Sequence, residues 1–138
     1  MKRIATAAVI IILLAGLAHA EVIVDVTKIA GKSEKEVSAY LGMPSSCGKS
    51  KYGNKCQYGK GETEIVFINS KADWITIEGI DQIPFSKAIL EALGLKEATP
   101  SFINASTMRW ESIQGLKEVS LFKGASGSDY AYIKVKTK

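Results

Sequence analysis

Histidine is nearly missing from this sequence. Its one copy, His19, falls in an amino-terminal stretch that reads as a leader. The rest of the chain therefore has no imidazole for general base work near neutral pH or for holding zinc. Cysteine is scarce as well. Cys47 and Cys56 are the only two, too few for a zinc site and too far apart for a C-x-x-C redox pair. Glycine-rich phosphate loops are absent, so neither a cofactor nor a metal is expected. Charge of one sign is also lacking: the formal net charge is +4, and Lys2 and Arg3 of the leader account for two of those positives. A balance of +2 does not mark a nucleic-acid binder.

Long apolar runs are lacking everywhere except at the start. In "MKRIATAAVIIILLAGLAHA", Lys2 and Arg3 precede an apolar run from Ile4 to Leu17, and Ala18-His19-Ala20 has the small-x-small form of a cleavage site. The run is shorter than the roughly 20 residues a membrane-spanning helix needs. Residues 1–20 are thus expected to be a signal peptide cleaved after Ala20. No cysteine follows the cleavage site to accept a lipid. Residues 21–138 are expected to be one domain, periplasmic or secreted, and not membrane-spanning.

Export bears on the two cysteines. In an oxidising compartment Cys47 and Cys56 are expected to bond to each other. They sit in "SSCGKSKYGNKCQYGKGE", a basic, glycine-bearing stretch read as a loop carrying Lys49, Lys51, Tyr52 and Lys55, with Tyr58 and Lys60 beyond. A disulfide would preorganise such a tip for lipid head groups, anionic wall polymer or an acidic protein surface. The plainer reading is a solvated turn whose lysines protect a sheet edge.

Two stretches have helical grammar. "GKSEKEVSAYLGMP" offers Ser33 and Glu36 as a capping box, Val37, Tyr40 and Leu41 on one face, and Gly42 and Pro44 as the stop. "IPFSKAILEALGL" repeats the pattern and stops at Gly94. Strands are expected in "EVIVDV", "KCQYG", "ETEIVFIN", "ADWITIEG", "TMRWESI", "KEVSLFK" and "DYAYIKVKT". Leu41-Gly42-Met43 aligns with Leu93-Gly94-Leu95, and Trp74-Ile75-Thr76-Ile77 with Tyr132-Ile133-Lys134-Val135. The order predicts an α+β fold: a tandem repeat, about 31–80 and 81–138, of a helix plus three antiparallel strands. These would form one antiparallel sheet with two short helices packed on one face.

"GKSEKEVSAYLGMPSS", followed by a cysteine-bearing stretch and hairpin strands, resembles small exported bacterial envelope proteins. These are the outer-membrane assembly lipoproteins of the BamE/SmpA group and the β-lactamase inhibitor protein, which looks like two such units joined. The likeness lies mainly in residues 31–80 and implies a sheet whose face binds protein. Lacking a lipid-acceptor cysteine, this chain departs from the assembly lipoproteins.

Alternation assigns side chains to faces. Ile65, Phe67, Ile75, Ile77, Val119, Leu121, Ile133 and Val135 should point to the helices, with Met108 and Trp110. Trp74, Thr76, Arg109, Tyr130, Tyr132 and Lys134 should then lie on the open face, where aromatic rings beside charges suit a protein interface. The function read from this is a non-catalytic binding module of the cell envelope with a protein partner, either inhibitor-like or assembly-factor-like. A carrier of a small apolar ligand or lipid is the alternative, and a cryptic hydrolase comes third. Ser46-Cys47-Gly48-Lys49 spells S-x-x-K but enters a disulfide loop rather than a helix. The pairs Glu62 with Glu64 and Glu78 with Asp81 have no cleft marked around them.

Overall fold

A computed structural model describes residues 21–135. The expected signal peptide at 1–20 lies outside the described residues, as do 136–138. Helix α1, Glu34–Leu41, forms where its caps predict. The Ser33 hydroxyl accepts from the Glu36 amide at 3.2 Å, and the Glu36 carboxylate accepts from the Ser33 amide, so two donors that helix geometry leaves free are satisfied. Gly42, at φ +88°, turns the chain out of the helix, a conformation that favours glycine. Val37 and Leu41 are the buried stripe.

Eight strands make a single antiparallel sheet: β1 Ser46–Lys49, β2 Asn54–Tyr58, β3 Thr63–Ile68, β4 Lys71–Ile77, β5 Phe102–Ile103, β6 Thr107–Ile113, β7 Leu116–Lys123 and β8 Ser128–Val135. Their spatial order is β1-β2-β3-β4-β8-β7-β6-β5. One side of this sheet carries α1, the amino-terminal segment and helix α2, Ile89–Ala92. Between them and the sheet lies one continuous core, in which Ile29, Val37, Ile65, Ile75, Ile77, Leu121 and Ile133 are fully buried. The alternation expected for β3, β4, β7 and β8 is the alternation the sheet has.

The tandem α+β repeat is not what the chain forms. It is one open eight-stranded sheet with little helix, rather than two helix-plus-three-strand units. Three local outcomes explain the difference. The second helical pattern yields only the four residues of α2, whose N-cap position, Ala88, has no side chain to hold an amide. Two short strands not expected from the pattern, β1 and β5, extend the sheet at both edges. The strands before and after residue 80 are continuous in one sheet, because β4 pairs directly with β8 in the middle.

The amino-terminal "EVIVDV" is also not a strand. Asp25 caps a short 3-10 turn, Val26–Lys28, by accepting from the Thr27 amide at 3.0 Å. Val24 and Val26 are buried beneath it, and backbone amides of Ile23 and Val26 bond Ala92 and Leu93 at 2.8 and 2.9 Å. An alternating pattern hides this outcome, since a tied-down extended segment buries the same residues.

Candidate docking surface

The sheet has a second face, opposite the core. Strand register lays its side chains out in rows. One row runs from Phe102 through Arg109, Ser120, Tyr132 and Thr76 to Glu64. The next runs from Glu111 through Glu118, Lys134, Trp74 and Val66 to Lys55. Tyr130 belongs to a third, beside Phe122. All six side chains expected on the open face are therefore together on it, and all six are half-buried.

Their neighbours hold them in place. The Arg109 guanidinium lies 5.5 Å from the Phe102 ring centre, its Nε donates to Ser120 Oγ at 3.3 Å, and Glu118 is 3.4 Å away. Phe122 and Tyr130 stack with ring centres 4.6 Å apart. Burial raises the Tyr132 phenol above its ordinary value, and the carboxylates of Glu118 and Asp73 raise it further. Tyr132 thus stays a neutral hydroxyl at physiological pH. Trp74, Tyr132 and Lys134 form one side of an open groove of about 460 Å³, with Glu111, Lys117 and Glu118 on the other.

Trp74 is less open than the alternation suggests. Tyr52, from the β1–β2 turn, reaches over it with ring centres 4.6 Å apart, and Lys134 Nζ stands 4.9 Å from the ring centre on β8. The tip can come this close because Gly53, at φ +157°, has no Cβ; one there would stand 1.9 Å from the Phe67 carbonyl oxygen.

The basic stretch is a β-hairpin, not a free loop, and its lysines do not form one patch. The expected Cys47–Cys56 disulfide is present, bridging directly opposed residues of β1 and β2. Lys55 points to the outer face, 3.7 Å from Glu64. Lys49 alternates to the core side with Cys47. Lys51 lies 5.4 Å from the Tyr52 ring centre, and Lys60 stands 4.2 Å from that of Tyr40 on α1.

Two of the hydrolase candidates, Ser46 with Lys49 and Glu62 with Glu64, are not brought together. Ser46 and Lys49 are three apart on a strand and so project to opposite faces. Glu64 is engaged by Gln57 at 2.6 Å, while Glu62 belongs to the 3-10 turn Lys60–Glu62 before β3. The two sulfurs near Glu34 are bonded to each other, which leaves that trio without thiolates for a metal.

One residue escaped the pattern. Asp73 is an extra residue at the β3–β4 bulge, fully buried, with one carboxylate oxygen on Lys134 Nζ. Its other oxygen and the neighbouring Trp74 Nε1 are buried without a hydrogen-bond partner among the described residues. An aspartate inside "KADWITI" was the available signal, since strands disfavour it.

In comparison with known proteins, the chain matches no family model, no curated protein and no solved structure.

Proposed function

We propose that this chain is an exported, non-catalytic binding module that docks a protein on the outer face of its sheet. One observation carries the reading: helices and the amino-terminal segment lie on one side only, while the other presents ordered rows of rings and charges. Arg109 and Tyr130 are already braced by neighbours on the sheet, and Tyr132 is half-buried on the strand between Thr76 and Ser120. A partner would lose little side-chain entropy in meeting them. Aromatics and arginine are also the groups that dominate interface energetics.

Export is part of this reading. The disulfide is compatible with an oxidising compartment, and among the described residues no helix is long and apolar enough to cross a membrane. Inhibition and assembly both fit such a module. A carrier role has less support, because fully buried side chains fill the centre of the core and the apolar groove between α1 and β1–β2 is open to solvent.

Two measurements test the proposal. Mass spectrometry of the mature protein should show Glu21 as its first residue, without acyl mass. A partner captured from the envelope fraction of the source cells should bind Tyr132→Ala at least about 30-fold more weakly than wild type, with the circular dichroism unchanged. Unaltered binding by a Tyr132→Ala, Arg109→Ala double variant would place the docking surface elsewhere.

A further inference from the structure

Strand β1 forms one edge of the sheet, with a groove beside it on the core side. The opposite edge, β5, is only two residues long, whereas β1 has four and all four are exposed. The Ser50 amide donates to the Gly53 carbonyl at 2.8 Å, which makes that pair a hydrogen-bonded one. Alternation then makes Cys47↔Cys56 and Lys49↔Asn54 non-hydrogen-bonded pairs, so the main-chain groups of Cys47 and Lys49 face outward. These are the groups a further strand would bond.

Beside this edge runs a groove of about 570 Å³ between β1–β2 and α1. Ala39, Met43, Pro44 and Tyr58 give it an apolar lining, and Met43 is 83% exposed. Lys35 lies along it, and Lys49 projects to the same side from β1. The one nearby acid, Glu34, is engaged by the Asn54 side-chain amide. An amide hydrogen bond leaves Glu34 charged, but Lys35 and Lys49 outnumber it, so the rim is net positive, the floor apolar and the edge unpaired.

From this juxtaposition we propose that the β1 edge and its groove receive an extended, acidic segment of a partner protein, which adds to the sheet as a ninth strand. Main-chain bonds to Cys47 and Lys49 would supply affinity, while alternate side chains enter the groove or meet the lysines. Lysines on an edge oppose pairing with a second copy, which brings the same charge, and favour a strand of opposite charge. The disulfide gains a role here, because it holds β1 extended before the partner arrives. The site is independent of the outer face, on the other side of the sheet.

Selection of a phage-displayed library of random dodecapeptides against the disulfide-bonded chain tests the idea. Peptides rich in Asp and Glu should be enriched, and bound peptide should slow hydrogen exchange at the Cys47 and Lys49 amides. Lys49→Pro, which removes an outward donor without breaking a bond of the β1–β2 ladder, should weaken binding about tenfold or more. Lys49→Gln should lose less, and Tyr132→Ala on the outer face should lose nothing. The proposal is overturned if no acidic peptide is enriched, if exchange slows elsewhere instead, or if Lys49→Pro binds as wild type. Concentration-dependent dimerisation that Lys49→Pro abolishes would also overturn it, by making a second copy the occupant.

Discussion

Lys134 of β8 closes onto Asp73, the residue left over where β4 bulges against β3. The carboxylate is almost wholly buried, while the lysine side chain keeps 22% exposure. That asymmetry decides which partner can be lost. Lys134→Met leaves a buried charge uncompensated and should cost about 3–5 kcal/mol in urea unfolding. Asp73→Asn keeps the shape and lets Lys134 turn to water, so its cost should be clearly smaller. Equal losses would show that the pair does not act through the burial of Asp73.

Trp74 and Ile75 are neighbours on opposite faces, and truncating them should have different results. Ile75 is fully buried, so Ile75→Ala should cost roughly 2–5 kcal/mol by opening a core cavity. Trp74→Ala removes a half-covered ring and should cost less, about 1–2 kcal/mol, within the range of ordinary substitutions. Tyr52 would lose its ring partner, so hydrogen exchange in the β1–β2 turn should quicken. An unfolded Trp74→Ala would show that this ring holds the sheet together.

The disulfide staples an edge hairpin, not the core. Replacing Cys47 and Cys56 together with serine should lower stability by at most roughly 2–3 kcal/mol, the chain-entropy value for so short a closed loop. Exchange should quicken in β2 and not in β8. Thiol titration of unfolded, unreduced wild type should find no free thiol.

Acid should undo the cap of α1. The Glu36 carboxyl titrates below its ordinary value of 4.5, first because it accepts from the Ser33 amide, then through the Ser33 hydroxyl, with Lys32 assisting. A carboxyl depressed in the folded state stabilises it above the unfolded value, and that contribution disappears as pH falls below 4.5. Wild type should therefore exceed Glu36→Gln in stability at pH 7, with the gap closing in acid. A gap independent of pH would mean that the charge of Glu36 has no part in the cap.

Local rules carried much of this fold. The α1 cap depends on residues three apart, so "SEKE" settles it wherever the helix docks. Two-residue alternation depends on the strand alone, and it placed Ile75 inward and Trp74 outward without knowledge of any partner strand. Counting cysteines sufficed for the bond between Cys47 and Cys56, because there was no third thiol to compete. Other features needed distant parts of the chain. "SCGK" has no strand pattern and is extended only because β2 and a sulfur bridge lie beside it. "IPFSKAILEALGL" has a helical pattern but keeps only four residues of α-helix, although Ser86 Oγ accepts from the Ala88 amide just before it. The buried Asp73 follows from a bulge, and its lysine arrives from a strand 61 residues away. Spacing within a segment expresses short-range sterics and hydrogen bonds; which segments lie side by side, and therefore which surfaces stay open, is decided only when the whole sheet closes around its core.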